Sequence, residues 1–391
     1  MIRGLDDLEI KGKRVLVRAD FNVPINKGEV TDDSRIRATL PTLTALRQKG
    51  ASRIIVCSHL GRPKGVRDPS LSLRPVGQRL ADLIERRVRV TEDPTGPPSD
   101  FDEMDADEIG MLENLRFDPR EEENDAGFAD ELAKLGDVYV NDAFGTAHRA
   151  HASVVGVAQR LPSAAGLLLH KELEVLSRVL EDPKRPFVVV LGGAKVSDKI
   201  GVVANLLDKA DKIIIGGAMA NTFLTAQGWK LGESRVEKDK IDDVVDAMVA
   251  SQSTDVQIML PTDLVAADSF DSDSAWEVVS VQGFPAGKLA LDIGPETTAA
   301  FTEAVTNAGM VLWNGPLGVF EWDSFAKGTK AVATAVCGSE AFTVVGGGDT
   351  LAALSKFDLT EGIDHLSTGG GASLEFLEGK ELPGVAVLEK E

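Results

Sequence analysis

Residues 342–354 read FTVVGGGDTLAAL. The first four form a β-branched and aromatic run of the kind buried on both faces of a parallel sheet. Three glycines follow, and then a helical apolar pattern at Leu351, Ala352 and Leu354. Strand, glycine turn and helix start, in that order, aim bare backbone N–H groups and the positive end of a helix dipole at an anion. Asp349, in the first helical turn, either caps the helix or holds a Mg²⁺ that rides on phosphates. The same design recurs in residues 365–376, HLSTGGGASLEF.

Working outward, strand-like runs at 14–18, 53–58, 138–141, 187–191, 212–215, 256–260 and 310–313 alternate with helix-length amphipathic stretches such as 35–48, 74–85 and 170–180. That alternation predicts an α/β fold with mainly parallel sheets. At 391 residues the chain exceeds the length at which one hydrophobic core stops growing, about 250–300, so two domains are expected. The pattern closes at Asn141 and restarts at Phe187, which puts the seam near 165–185. Residues 93–108, rich in Asp and Pro, are expected to form a loop without chemistry.

A formal net charge of −20 argues against a nucleic-acid partner, because phosphate backbones demand a basic footprint. It also makes any local cluster of cations conspicuous, since such a cluster stands against the global field. Cys57 and Cys337 lie far apart in apolar surroundings, which suits reduced thiols in a cytoplasmic protein. The N-terminal MIRGLDDLEIKGKRV has no apolar signal core, and no run approaches the ~20 apolar residues of a membrane span.

Polar stretches sit at strand ends, where open α/β sheets bind ligands. In the first half they are VRADFNVP (17–24), SHLGRPKG (58–65), LENLRFDPREEEN (112–124) and DAFGTAHRAHAS (142–153). If these loops converge, Arg18, Arg35, His59, Arg62, Arg116, His148, Arg149 and His151 form one cationic patch for a small polyanion. The second half offers glycine turns instead: LGGAKVSDKI (191–200), DIGPET (292–297) and WNGPLGVFE (313–321). Lys195 and Lys199, four residues apart at a helix start, are expected on one face. Neither G-x-x-x-x-G-K-[ST] nor G-x-G-x-x-G occurs, which argues against a nicotinamide dehydrogenase on similar domains.

These blocks, together with GGGDT and STGGGAS, resemble the phosphoglycerate kinase family in order and spacing, almost end to end. Ala19, where the family commonly has Val, and Leu317, where Met is usual, depart from the pattern without removing a polar group. The resemblance implies two Rossmann-like three-layer domains, each with a mainly parallel sheet, facing each other across a hinged cleft. Residues 1–168 would bind 3-phosphoglycerate, 169–184 would form an interdomain helix and hinge, and 185–372 would bind Mg-ATP or Mg-ADP. A tail, 373–391, would pack back onto the first domain, and a second hinge would lie at 367–371. A monomer is implied.

Carried over position by position, the triose-phosphate binders would be Asp20, Phe21, Asn22, Arg35, His59, Leu60, Gly61, Arg62, Arg116 and Arg149. Lys199, Gly294, Asn314, Glu321, Gly347, Gly348, Asp349 and Thr350 would bind the nucleotide. Glu321 would take the ribose hydroxyls, Asp349 the metal and Thr350 a phosphate oxygen. The transferring group would meet Arg35, Lys195 and the amides of Gly348 and Gly371. A catalytically inactive relative would be expected to lack one of Arg35, Lys195 or Asp349, and all three are present. The acceptor in that reaction is a carboxylate, already ionised at neutral pH, so no general base is needed. Positioning and charge neutralisation of a loose, in-line transition state are what remain.

Overall fold

The computed structural model describes residues 2–105 and 107–390. Met1, Ala106 (inside the expected 93–108 loop) and Glu391 lie outside it. The chain divides into two compact units. One runs to Glu174 and takes in the residues from Glu381 on; the other spans Val175–Lys380.

In the first unit the strands are β1 (Arg14–Arg18), β2 (Ile25–Asn26), β3 (Glu29–Val30), β4 (Arg53–Cys57), β5 (Val88–Val90), β6 (Ile109–Met111), β7 (Val138–Asn141) and β8 (Ser163–Ala165). β2 and β3 pair as a short hairpin, and the others form one parallel sheet in the order β5-β6-β4-β1-β7-β8. Its helices are α1 (Ser34–Gln48), α2 (Arg74–Ile84), α3 (Ala126–Ala133) and the start of α4 (Leu167–Glu181), within which the two units divide. Ile36, Leu43 and Leu46 of α1 and Val76 and Leu80 of α2 pack on Val15, Val17, Ile54 and Val56 of the central strands. Each such side chain contributes about 1.5–3 kcal/mol when fully buried.

The second unit holds β9 (Phe187–Leu191), β10 (Lys212–Ile215), β11 (Gln257–Met259), β12 (Asp263–Ala267), β13 (Trp276–Ser280), β14 (Leu289–Ile293), β15 (Met310–Asn314), β16 (Phe342–Gly346) and β17 (His365–Leu366). Its main sheet is again parallel, in the order β11-β10-β9-β15-β16-β17. β13-β12-β14 form a separate antiparallel sheet that the sequence did not announce. The helices are α5 (Ile200–Leu206), α6 (Gly217–Ala226), α7 (Ile241–Ser251), α8 (Pro295–Thr306), α9 (Lys327–Gly338), α10 (Gly348–Lys356) and α11 (Gly371–Leu377).

The expected tail from 373 is split between the units. α11 packs on α5, and Leu377 O accepts a 2.7 Å hydrogen bond from Asn205 Nδ2, so this stretch stays with the second unit. The return comes at Glu381: Gly384 N, in α12 (Pro383–Ala386), donates to Ala147 O at 2.8 Å, and Arg3 Nη2 to Val387 O at 2.9 Å.

Both units are Rossmann-like, and each has a point where strand order reverses. β1 lies between β4 and β7, and β9 lies between β10 and β15. The crevice beyond the carboxyl ends of those strands is where open sheets take their ligands.

Candidate active site

Beyond β1 and β4 the loops are tied by hydrogen bonds that use the polar residues singled out above. Arg35, in the first turn of α1, donates from Nη1 to Asp20 Oδ2 at 3.0 Å and to Asn22 O at 3.3 Å. Asn22 Oδ1 accepts from Gly61 N at 2.9 Å, and Arg116 Nη1 donates to Gly61 O at 2.8 Å. Phe21 N donates to Ser58 Oγ, while Asn114 holds Leu60 through both its N–H and its carbonyl. Arg149 Nε donates to His148 Nε2 at 3.1 Å. Arg149 and Arg116 each act on His151 electrostatically, and Arg35 acts on His59. Arg62 is exposed on the same turn as Gly61.

Under this surface lies a layer that the sequence reading misjudged. Arg18 is wholly buried rather than presented to solvent. Its Nε donates to Ser153 Oγ at 2.8 Å, Nη1 to Ala19 O, and Nη2 sits 3.2 Å from His59 Nδ1. A guanidinium can only donate, so His59 Nδ1 accepts, and the ring is neutral with its proton on Nε2. Burial, then Arg18, Arg116 and Arg35, push His59 well below its ordinary value. Burial and the same arginine Arg18 bring His151 down to about 3. The positive charge of the patch therefore comes from arginines, not from His59 or His151. Ser153 passes the contact on: its N–H and hydroxyl reach the two oxygens of Glu121, at 2.9 and 2.6 Å, in a carboxylate with no exposed surface.

In the second unit three loops fuse at the carboxyl ends of β9, β10 and β15. Gly192 N donates to Asn314 O (3.1 Å), Gly193 N to Pro316 O (2.7 Å) and Gly217 N to Leu317 O (3.0 Å). Such contact between backbones leaves no room for side chains. Gly315 has φ +102°, and a Cβ there would stand 2.3 Å from Gly192 O. Gly347 is equally constrained: φ is +92°, and a Cβ would press on the Asn314 amide at 3.1 Å. Gly347 is the N-cap of α10, has no side chain to cap the helix, and so leaves the amides of the exposed Gly348 and Asp349 pointing outward. Gly371 opens α11 in the same exposed way beyond the neighbouring strand β17.

These loops border a cavity of about 250 Å³. Its apolar wall includes Ala218, Leu264, Leu291, Ile293 and Leu317, and its polar margin Glu321 and Asp349. Lys199 Nζ donates to Gly192 O at 2.6 Å. Burial brings this ammonium down to about 8, with Asp349 and Asp198 holding it up. The expected pairing of Lys195 with Lys199 on one helical face does not occur. α5 starts only at Ile200, Lys195 is exposed on the preceding loop, and Lys199 is buried. That loop is held by Glu237, whose Oε2 accepts from Val196 N and from Ser197 N (3.1 Å) and whose Oε1 accepts from Ser197 Oγ (2.8 Å).

Two further residues stand differently from expectation. Gly294 precedes α8, but Asp263 already occupies that helix start, accepting from Glu296 N at 3.0 Å and Thr297 N at 2.8 Å. A Cβ on Gly294 would meet the Asp263 carboxylate at 2.2 Å, which accounts for the glycine without a ligand. Thr350 is wholly buried and its hydroxyl accepts from Gly315 N at 2.7 Å, tying the β15 loop to α10. Among the described residues no group of three or more His, Cys, Asp or Glu could hold a metal by itself. Asp349 alone offers a carboxylate at the α10 start, the donor set of an ion that keeps waters and binds chiefly to phosphates. Gly217, Ala218 and Asn221 of the cavity wall were missed, although IIIGGAMAN (213–221) shows a glycine pair directly after a strand.

The family model for phosphoglycerate kinase matches residues 5–380. The chain belongs to the phosphoglycerate kinase family. It is 55% identical to the phosphoglycerate kinase of Moorella thermoacetica over 386 residues, covering 98% of each chain. With that of Thermomicrobium roseum it shares 53% over 392 residues, covering both in full. Among solved structures, phosphoglycerate kinase from Coxiella burnetii is similar with a TM-score of 0.88 at 41% identity, covering 99% of both chains. That from Pyrococcus horikoshii OT3 gives 0.86 at 33%, covering 99% of this chain and 98% of the other. Membership of the phosphoglycerate kinase family makes the chain a kinase, a phosphotransferase acting on a carboxyl group.

Proposed function

We propose that the first unit presents 3-phosphoglycerate and the second presents Mg²⁺-bound ATP or ADP. The phosphoryl group passes reversibly between the nucleotide and the substrate carboxylate, with ADP and 1,3-bisphosphoglycerate on the other side of the equilibrium. The observation behind this reading is the chemical contrast between the two strand-end crevices. One gathers arginines over a network of neutral histidines; the other gathers glycine backbone, an uncapped helix start and an apolar cavity. A coupled assay with ATP, Mg²⁺ and 3-phosphoglycerate tests it, and absence of ADP formation would refute it. We also propose a cytoplasmic monomer, in keeping with two unpaired cysteines; elution of the purified enzyme as a dimer would refute the second part.

In this reading Asp20, Phe21, Asn22, His59, Leu60, Gly61, Arg62, Arg116 and Arg149 grip the triose phosphate, with Arg35 placed to meet the transferring group. Lys199, Asn314, Glu321, Gly347, Gly348 and Asp349 serve the nucleotide, with Gly294 and Thr350 shaping the backbone around it rather than touching it, and Lys195 and the Gly348 and Gly371 amides serve the moving phosphoryl. Asp349 holds Mg²⁺, which neutralises charge on the phosphates when bound. The arginines and amides need no reorganisation as negative charge shifts, because hydrogen bonds and glycine backbone already fix them. An acyl phosphate must be kept from water, so the units close only when both substrates are present. Small-angle scattering should show compaction with both substrates and not with either alone; an unchanged radius of gyration would contradict closure.

Lys199 gives the site a pH limit. It carries its charge below about pH 8 and loses it above. Nucleotide KM should therefore rise as pH climbs through 8, at most about tenfold per unit for one proton. Lys199→Arg should flatten the profile, and a parent profile flat from pH 7 to 9.5 would remove Lys199 from the phosphate contacts.

A further inference from the structure

The loop that follows β15 lies along α10 and is tied to it at both ends. At the helix start the Thr350 hydroxyl accepts from Gly315 N at 2.7 Å. At the helix end Lys356 Nζ donates to Phe320 O at 3.1 Å, to Glu321 O at 3.0 Å and to Asp323 Oδ1 at 2.7 Å. An ammonium carries three N–H donors, and here all three are taken by one loop. Between the two ties Phe320 is buried against Ala353 of α10.

Asp323 is 94% exposed, so its ion pair with Lys356 contributes little. The two consecutive carbonyls say more. Glu321 is exposed, and among the described residues nothing bonds to its carboxylate, so the backbone beneath it decides where that carboxylate stands. Lys356 holds that backbone from one end of α10, and the other end carries the open amides of Gly348 and Asp349. Nine residues at a rise of 1.5 Å put the two ends about 12 Å apart. The helix is thus a strut of set length between Asp349 and Glu321, the polar margin of the cavity.

We propose that Lys356 is a positioning residue for the nucleotide. It fixes Glu321 at the distance from the α10 amides that one nucleotide bridges, and so governs recognition of the ribose without touching it. The inference rests on the proposed function, in which Glu321 takes the ribose hydroxyls and the α10 start takes the phosphates. A hydrogen bond to a charged group is worth about tenfold or more in affinity. Misplacing the Glu321 carboxylate should therefore raise the KM of ATP by about five- to tenfold. A nucleotide without ribose hydroxyls should be unaffected.

The test is steady-state phosphorylation of 3-phosphoglycerate by ATP and by 2′,3′-dideoxy-ATP, with the parent enzyme, Lys356→Met and Lys356→Arg. The parent should prefer ATP by about tenfold in KM. In Lys356→Met that preference should fall below about threefold through a rise in the ATP KM alone, with kcat and the KM for 3-phosphoglycerate unchanged. Lys356→Arg, which still donates to several acceptors, should keep the preference. Lys356→Gln, whose amide stops short of the carbonyls, replaces the methionine variant if that one does not fold, with the same fall expected. A KM that rises alike for both nucleotides would make Lys356 a general prop of the unit and overturn the proposal. A parental preference in Lys356→Met would overturn it too, and in either case the functional reading stands. A parent that does not distinguish the two nucleotides would remove Glu321 from the ribose and leave nothing for Lys356 to position. No transfer from either nucleotide would overturn the functional reading itself, and the proposal with it.

Discussion

Lys195→Ala is expected to lower kcat by about 10²–10³-fold while nucleotide KM changes by less than about threefold. The reason lies in the contrast between the two lysines of the β9 loop. Lys199 is buried and already hydrogen-bonded to Gly192 O, so its charge is part of the resting site. Lys195 is exposed, but the backbone on its C-terminal side is not loose, because Glu237 takes the amides of Val196 and Ser197 and the Ser197 hydroxyl. A flexible ammonium on a fixed base can follow charge that moves during transfer. Interactions made only in the transition state appear in kcat rather than in KM. Single-turnover measurement of the forward step separates this from product release. A variant with near-parental kcat would remove Lys195 from the transition state, and one in which only KM rises would make it a ground-state binder.

The parallel sheets were legible because their strands are buried on both faces and read as unbroken apolar runs. β1, β7, β9 and β10 have the ends read from sequence, and β4, β15 and β16 differ by one residue. The antiparallel sheet was not legible: β13, WEVVS, is largely exposed and carries no alternation that separates it from a loop. The two- and three-residue strands β2, β3, β5, β6, β8 and β17 are too short to show a period. Within the site, residue types were readable but their states were not. Arg18, His59 and His151 look like three cations in sequence, yet burial and mutual repulsion leave two neutral rings around one buried guanidinium. The Lys195–Lys199 spacing looks helical, and only the distant Glu237, 42 residues after Lys195 in sequence, shows why that loop stays a loop. Long-range partners of this kind leave no local signal.

Glu121→Leu is expected to destabilise the first unit by about 3–5 kcal/mol, because it leaves the buried Arg18 without the carboxylate that Ser153 links to it. Arg18→Met should cost a similar amount for the converse reason. Glu121→Leu with Arg18→Met should cost far less than the two together, since apolar replacements of both partners remove the unpaired charge. The unfolding of this unit can be followed by itself. The single tyrosine, Tyr139, belongs to it and donates to Ser153 O at 2.6 Å, inside the same network, whereas Trp229, Trp276, Trp313 and Trp322 all belong to the second unit. Urea unfolding read by tyrosine absorbance therefore gives the cycle, with tryptophan fluorescence as the control for the other unit. Additive losses would mean that Arg18 and Glu121 do not act as a pair. If the double variant folds, its KM for 3-phosphoglycerate decides what the pair is for: Arg18 holds His59 through Nδ1, so KM should stay raised even with stability regained. Recovery of both together would make the buried pair a replaceable piece of the core, with no part in shaping the anion site above it.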